Sequence, residues 1–256
     1  MVNVPHTPDP VSGATEIVLL HGVGLDRTMW EPLQALAERE MIAIDLPGHG
    51  AEPPLRAPQS LAAMADDVVH RLPEGASHLV GFSLGALLAQ HIARFHPDRV
   101  ASLTSVSAVC ERTPFEAEAV ASRLAIAQSG FSNSVTSSLR RWYPPGTSVS
   151  PEVIAATERV LSGNDVTSYL HAYAVFANGD QEIAPELGRI AARSLVITGE
   201  LDSGSTPDMA RRLADAIPNS RLVVVPGARH MLPVEDSRAL LGALTDFIDD
   251  PKENRD

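Results

Sequence analysis

Short runs of apolar residues alternate along this chain with stretches in which apolar side chains recur every three or four positions. The runs predict buried strands, because a short continuous apolar run suits a sheet that is covered on both faces. They cover residues 17–20, 41–44, 78–80, 100–106, 194–198 and 221–225. The periodic stretches predict helices at 30–37, 61–72 and 84–95. This alternation predicts an α/β fold, a mostly parallel, twisted sheet flanked by helices.

Between residues 114 and 185 the strand pattern stops. Four stretches there have helical periodicity, and glycine or proline residues separate them. These stretches cover 115–127, 135–142, 153–161 and 166–176. A crossover between parallel strands needs only about a dozen residues. We therefore interpret 114–185 as an all-helical lid inserted after a core strand, and 1–113 together with 186–256 as the core that it covers.

Composition narrows the classes of function. Of the 256 residues, 44% are hydrophobic and 20% are charged, as in ordinary globular proteins, and the formal net charge is −12. Nucleic-acid phosphates and anionic membrane surfaces repel such a protein, so we expect neither as a partner. The chain shows no secretion signal and no apolar stretch that would span a membrane, and Cys110 is its one cysteine. We expect a cytoplasmic protein without disulfides that acts on a small molecule, in an oligomeric state that the sequence does not indicate.

The sequence Gly-Phe-Ser-Leu-Gly at 81–85 lies where a predicted strand passes directly into a predicted helix. A side chain at such a turn is held in a sharp, strained backbone conformation that lifts it clear of the sheet. Glycines on either side let the strand and the helix approach each other closely. Ser83, at the centre of this turn, is therefore a candidate nucleophile.

A serine hydroxyl needs a base to accept its proton and an acid to orient that base. The loop after the fifth predicted strand carries two acids, Glu200 and Asp202, and the loop after the sixth carries His230. Because the carboxyl ends of parallel strands lie at one edge of a sheet, these side chains can meet Ser83. We find no metal-binding histidine or cysteine motif, phosphate-binding loop or dinucleotide motif, so we expect neither a metal nor a cofactor.

Five motifs resemble those of α/β-hydrolases with a helical lid, over nearly the whole chain. They are His21-Gly22, the sequence Asp-Leu-Pro-Gly-His-Gly at 45–50, the turn around Ser83, residues 199–202 and His230. The resemblance implies an α/β-hydrolase fold. It also implies structural, hydrogen-bonding roles for His21 and His49 in their loops.

The same resemblance assigns the catalytic roles. It implies that Ser83 is the nucleophile and His230 the general base and later acid. Asp202, rather than the neighbouring glutamate, becomes the orienting carboxylate, because the acid of the family stands three residues after the glycine of the strand. The backbone N–H groups of Val23 and Leu84 would form the oxyanion hole.

Four stretches are similar to the 3-oxoadipate enol-lactonases and their relatives in aromatic and heterocycle catabolism. They are residues 24–30, Arg141-Trp142-Tyr143, Tyr169 and residues 202–207. The resemblance implies metal-free hydrolysis of a small ester, lactone or activated amide through an acyl-enzyme. It also implies four substrate-binding residues, Trp30, Arg141, Trp142 and Tyr169. Because the planar fork of an arginine matches a carboxylate, Arg141 is the candidate contact for a carboxylate of the substrate, ahead of Arg140.

Two other interpretations stay open. The same fold and triad can hydrolyse carbon–carbon bonds of vinylogous diketones, although such relatives usually carry a second glycine after the serine turn, where this chain has Ala86. A hydrolase fold without activity can also serve as a ligand receptor, which is a different class of function. The complete serine, aspartate and histidine set favours an enzyme.

Overall fold

Six parallel strands form the sheet at the centre of the protein. They are β1 (Ile17–Leu20), β2 (Met41–Ile44), β3 (Ser77–Phe82), β4 (Val100–Val106), β5 (Ser194–Gly199) and β6 (Ser220–Val225). The computed structural model describes residues 15–250, so residues 1–14 and 251–256 of the predicted core, and the expected absence of a secretion signal, lie outside the described range. The strands lie in the order β2-β1-β3-β4-β5-β6, and each neighbouring pair is parallel. The predicted parallel sheet is confirmed.

Helices flank this sheet, as the α/β prediction requires. Within the described range the α-helices are α1 (Glu31–Gln34), α2 (Leu61–Arg71), α3 (Leu84–Phe95), α4 (Pro114–Ser129), α5 (Phe131–Trp142), α6 (Pro151–Ser162), α7 (Val166–Ile183), α8 (Pro207–Ala216), α9 (Leu232–Glu235) and α10 (Ser237–Asp249). Short 3-10 turns lie at Arg27–Trp30, Pro97–Arg99 and Ala184–Arg189. Among residues 15–250, no helix combines the length and the apolar composition needed to cross a membrane.

The two faces of the sheet bury two separate apolar clusters, because successive residues of a strand point to opposite faces. Val18 and Leu20 of β1 pack with residues of α2, α3 and α8. Ile17 and Leu19 pack with residues of α1, α9 and α10. All four side chains are at most 3% exposed. Burial on both faces explains why β1 reads as an uninterrupted apolar run rather than an alternating one.

The helix predicted at 30–37 is shorter in the structure. A 3-10 turn, Arg27–Trp30, precedes the single turn of α1. Asp26 begins this turn, since its carboxylate accepts a hydrogen bond from the backbone N–H of Thr28 at 3.0 Å. The chain therefore turns earlier than the apolar spacing indicates, and the Trp30 side chain is fully buried.

Four helices, α4 to α7, connect β4 to β5, and the described chain has no strand between them. We call them the helical insertion. Its last helix, α7, continues to Ile183, beyond the predicted stretch 166–176. The sequence pattern hides this extension because Asp180 interrupts the apolar spacing, although the Asp180 side chain is buried. Contacts of α7 with α2 and α3 join the insertion to the core. The boundaries between lid and core at 114 and 185 stay predictions.

A buried ion pair fixes the end of α7 to the loop that follows β4. Arg112 and Asp180 form this pair, and their side chains are 2% and 1% exposed. The carboxylate of Asp180 also accepts the backbone N–H of Arg112 at 3.0 Å. The guanidinium donates to the carbonyls of Phe176 and Ala177, both at 3.2 Å, and lies 4.8 Å from the centre of the Phe176 ring. Because both charged side chains are buried, the loss of either one would leave the other without a counter-charge in the interior of the protein.

We predict that Asp180→Asn destabilises the protein by about 3 to 5 kcal/mol, because it leaves the buried guanidinium of Arg112 without a counter-charge. The free energy of unfolding in urea measures the effect. The matched control is Asp208→Asn, which removes one partner of an exposed ion pair with Arg211. That change should alter the stability by less than about 1 kcal/mol. Equally small effects of the two substitutions would contradict the role assigned to the buried pair.

Candidate active site

Ser83 lies between the end of β3 and the first residue of α3, in a strained backbone conformation. Its φ is 54° and its ψ is −109°, in a region that non-glycine residues rarely occupy. The backbone N–H of Ser83 donates to the carbonyl of Val106 at 3.0 Å, which ties the turn to the end of β4. The turn therefore holds the serine at the carboxyl edge of the sheet.

The two glycines of this turn are required by close backbone contacts. A Cβ atom added at Gly81 would lie 2.2 Å from the backbone oxygen of Gly85. A Cβ atom added at Gly85 would lie 2.3 Å from the backbone oxygen of Leu20, in β1. Neither position has room for a side chain unless the backbone moves. The Gly-Phe-Ser-Leu-Gly sequence thus permits α3 to pack directly against β3 and β1.

Asp202 and His230 lie in the loops after β5 and β6 and are hydrogen-bonded to each other. His230 Nδ1 donates to Asp202 Oδ2 at 2.8 Å. The other carboxylate oxygen, Oδ1, accepts the backbone N–H groups of Gly204 at 2.8 Å and Ser205 at 2.9 Å. The carboxylate is therefore held in place, and it leaves the Nε2 atom of the histidine free to accept a proton.

Glu200, the other acid of the loop, has a different position. It is exposed, and its carboxylate accepts the backbone N–H of Gly227 at 2.9 Å. Of the two candidate acids, Asp202 is thus the one in contact with His230.

Aromatic rings from the core and from the insertion flank His230. The centre of the Phe82 ring lies 5.0 Å from that of the imidazole. The Trp142 ring, on α5, is stacked on the imidazole with 5.8 Å between centres and 21° between planes. The backbone carbonyl of His230 accepts the hydroxyl of Ser107 at 3.0 Å. The insertion therefore contributes directly to the surroundings of this histidine.

The backbone N–H groups of Val23 and Leu84 are available to a bound molecule. Leu84 is the first residue of α3, where helical N–H groups have no partner within the helix. In the described part of the chain, neither N–H donates a hydrogen bond to another protein group. Val23 also lines the same cavity as Ser83.

His21 fixes the peptide group that carries the Val23 N–H. Its Nε2 accepts the backbone N–H of Leu46 at 2.8 Å, and its Nδ1 donates to the carbonyl of Gly22 at 2.8 Å. That carbonyl and the Val23 N–H belong to one trans peptide and point in opposite directions. Burial lowers the pKa of His21 to about 3 and that of His49 to about 4. Both histidines are therefore neutral, and neutrality leaves His21 Nε2 able to accept the Leu46 N–H.

A cavity of about 430 Å³, including its opening to solvent, separates the edge of the sheet from the insertion. It is lined by Val23, Ser83, Arg123, Ser138, Arg141, Trp142, Tyr169, Tyr173, Phe176, Gly204, Ser205 and His230. The lining contains two arginines and no carboxylate. Burial, and then the charge of Arg123, lower the pKa of Arg141. Among the residues that the structure describes, no three histidine, cysteine, aspartate or glutamate side chains are grouped to hold a metal ion.

Three of the four predicted substrate-binding residues, Arg141, Trp142 and Tyr169, line this cavity. Arg140, the neighbour of Arg141, is exposed. Trp30 is different, because it is 0% exposed and is absent from the cavity wall. Its ring packs against Phe82 in the core, with 6.5 Å between ring centres. Trp30 therefore lies in the core and not in the cavity wall, because the early 3-10 turn directs its side chain inward.

Sequence reasoning missed the other residues of the cavity wall that come from the insertion. They are Arg123, Ser138, Tyr173 and Phe176. Arg123 had a detectable signal, because it lies between Val120 and Ala127, two buried residues of α4. An arginine within the buried stripe of a helix needs a polar partner or a ligand.

The chain belongs to the alpha/beta hydrolase family, whose sequence profile matches residues 17–243. It is 31% identical to the (E)-2-((N-methylformamido)methylene)succinate hydrolase of Acinetobacter baylyi over 84% of this chain and 83% of that protein. It is also 31% identical to the pimeloyl-[acyl-carrier protein] methyl ester esterase of Chromobacterium violaceum, over 91% and 94% of the two chains. Among solved structures, the enol-lactonase of Burkholderia xenovorans LB400 superposes with a TM-score of 0.83 at 26% identity and covers 93% of both chains. The chain is thus similar to hydrolases of esters and lactones.

We predict that acid weakens the fold through the buried histidines. Their ordinary pKa is 6.5, and the folded values are about 3 for His21 and about 4 for His49. Below pH 6.5 the unfolded chain binds protons that the folded chain does not, so the free energy of unfolding falls as the pH drops. Each histidine should contribute a loss of about 2 kcal/mol between about pH 7 and pH 5, measured by urea denaturation. Burial lowers the pKa of His78 and His91 in the same direction.

A substitution separates these contributions. His49→Gln should reduce the difference in stability between the two pH values by about 2 kcal/mol. His70→Gln, at an exposed position on α2, is the control and should leave the difference unchanged. An unchanged difference in the His49 variant would show that burial does not hold this histidine neutral.

Proposed function

We propose that this protein is a serine hydrolase that cleaves a small, carboxylate-bearing ester, lactone or activated amide through an acyl-enzyme. The observation that carries the proposal is the strained Ser83 in one cavity with His230, which is hydrogen-bonded to the buried Asp202. A nucleophile, a base and an orienting acid are the groups that acyl transfer needs. The similarity to ester and lactone hydrolases supports the same class of reaction.

In the first step the Ser83 hydroxyl attacks the carbonyl carbon of the substrate. His230 Nε2 takes the hydroxyl proton, and Asp202 stabilises the imidazolium that results. The N–H groups of Val23 and Leu84 donate to the oxyanion of the tetrahedral intermediate. When the intermediate collapses, the imidazolium gives its proton to the leaving alcohol or amine, and the acyl group stays on the serine.

In the second step water repeats the sequence on the acyl-enzyme. His230 removes a proton from the attacking water, and the same two N–H groups stabilise the second oxyanion. Return of the proton to Ser83 Oγ releases the carboxylic acid and restores the enzyme. The hydrogen bond from Nδ1 to Asp202 keeps the imidazole in the tautomer that both steps require.

We assign residues 114–185 to a lid that covers the cavity containing Ser83 and His230, and we assign the rest of the chain to the core. Trp142 of the insertion stacks on His230, and Tyr169 and Phe176 line the cavity. These rings exclude water from one side of the site, which strengthens the hydrogen bonds within it. The lid is thereby part of the catalytic surroundings as well as a cover.

Arg141 is the residue that we propose binds the carboxylate of the substrate. It lines the cavity, and no carboxylate of the described chain lies within ion-pair distance of it. A guanidinium holds a carboxylate through two parallel hydrogen bonds. The relative from Acinetobacter baylyi is named for a succinate derivative, which is consistent with a carboxylate-bearing substrate.

The catalytic assignment predicts strong and non-additive losses. Ser83→Ala and His230→Ala should each lower kcat by about 10⁴ to 10⁶, and the double variant should be little worse than either one. Asp202→Asn should lower kcat by about 10⁴, because it disturbs the tautomer of the histidine. Glu200→Gln, in the same loop, is the matched control and should leave kcat unchanged. Hydrolysis of a 4-nitrophenyl ester measures all five variants, and additive losses in the double variant would mean that serine and histidine do not act as one unit.

The carboxylate assignment predicts a loss that depends on the charge of the substrate. Arg141→Ala should lower kcat/KM by about 10-fold to 100-fold for mono-4-nitrophenyl glutarate, since it removes a charged hydrogen bond of about 1.5 to 3 kcal/mol. For the neutral 4-nitrophenyl butyrate the same change should have little effect. Arg140→Ala, at the exposed neighbouring position, is the control. Equal losses with both esters would assign Arg141 to the fold of the lid instead of to the substrate.

A further inference from the structure

A second arginine faces the same cavity as Arg141. Arg123 comes from α4 and Arg141 from α5, and both side chains line the space in front of Ser83 and His230. Of these two arginines, only Arg141 belongs to a motif that the sequence analysis identified, Arg141-Trp142-Tyr143. The cavity thus holds one positive charge more than the proposed hydrolysis of a monocarboxylate uses.

Neither arginine has an acidic partner within the described range. Within the described residues, Arg141 makes a weak hydrogen bond to Ser138 Oγ at 3.4 Å, and its guanidinium lies over the Trp142 ring, 5.8 Å from the ring centre. Other half-buried arginines of the chain are neutralised: Arg71 by Glu52, Arg94 by Glu186, Arg212 by Glu116. The protein therefore supplies carboxylates to these three arginines and backbone carbonyls to the half-buried Arg99, but no carboxylate to Arg123 or Arg141.

The two charges also act on each other. Burial lowers the pKa of Arg141, and the nearby charge of Arg123 lowers it further. Two like charges held together at a partly dry site destabilise the empty cavity, because neither solvent nor a counter-charge fully compensates them. An arrangement of this kind is stabilised when an anion binds.

We propose that the cavity is built for a dianion: the substrate of the proposed hydrolysis carries two carboxylates beside its scissile carbonyl, one held by Arg141 and the other by Arg123. This rests on the proposed function for the reaction, and on the two unpaired arginines for the charge of the substrate. Tyr169 and Tyr173 line the same cavity wall as the two arginines, and a tyrosine hydroxyl is a neutral hydrogen-bond donor.

The test measures binding without turnover, so that it does not depend on catalysis. The Ser83→Ala protein is titrated calorimetrically with three matched pairs of ligands: succinate and butyrate, glutarate and pentanoate, adipate and hexanoate. We expect at least one dicarboxylate to bind about 10-fold to 100-fold more tightly than its monocarboxylate partner, the range for one additional charged hydrogen-bonded contact. Equal affinities within all three pairs would overturn the proposal.

Variants in the same background identify the residue responsible. Arg123→Met should bring the affinity for the preferred dicarboxylate close to that of its monocarboxylate partner and leave monocarboxylate binding unchanged. Arg140→Met, at the exposed position on α5, is the matched control and should change neither affinity. A dicarboxylate preference that survives Arg123→Met, or an equal loss with both ligands, would overturn the assignment of Arg123.

Folding and chemistry are checked separately. Without ligand, Arg123→Met should not lower Tm, because it removes a like charge from beside Arg141; if this variant fails to fold, Arg123→Gln takes its place in the titration. Failure of the proposed hydrolysis would appear as a wild-type protein that neither cleaves 4-nitrophenyl esters nor is labelled by a serine-directed phosphonate. Failure of the dianion proposal would appear in the titration alone.

Discussion

The close packing of β3, α3 and β1 around one turn is the constraint on which the proposed active site depends. Backbone atoms approach Gly81 and Gly85 so closely that a Cβ atom would lie 2.2 to 2.3 Å from a carbonyl oxygen. This packing leaves Ser83 in a conformation that costs on the order of 1 to 3 kcal/mol by itself. Burial of α3 offsets that cost, since its residues from Leu84 to Ala93 are all buried. The fold thus holds the proposed nucleophile in a position that a local sequence preference would not select.

The helical insertion is tied to the loops after β1 and β2, and the loop after β1 carries Val23 of the predicted oxyanion hole. Asn164, between α6 and α7, donates to the carbonyl of Gly24 at 2.8 Å. Ser168 of α7 donates to the carbonyl of Gly48 and accepts the N–H of Leu55, both at 2.9 Å. Gly24 has a φ of 75°, and a Cβ atom there would lie 2.7 Å from the Tyr169 ring. The loop of the predicted oxyanion hole therefore packs directly against the wall of the cavity. A substitution that moves one of them should also move the other.

The sequence was sufficient to predict those features that short runs of neighbouring residues and the order of the strands determine. The strands are short apolar runs, and the carboxyl ends of parallel strands meet at one edge, so the contact between Asp202 and His230 followed from topology. The direction of a side chain on a helix was harder to predict, because it depends on which face meets the core. Trp30 points into the core rather than into the cavity, and Arg123 points into the cavity from a stripe that reads as apolar. The extent of α7 was missed for a related reason, since its buried Asp180 is compatible with the core only because Arg112 lies against it.

The protein as a whole carries a negative charge, whereas the cavity carries a positive one. The formal charge of −12 belongs to the whole chain, and much of it lies on exposed side chains. Salt screens exposed charges within about 8 Å at physiological ionic strength, whereas half-buried charges are screened much less. A small anion at the mouth of the cavity is therefore affected chiefly by Arg123 and Arg141, which face it with no carboxylate in the cavity wall. An acidic protein can in this way bind an anion, provided that half-buried arginines without a carboxylate partner lie together at one site.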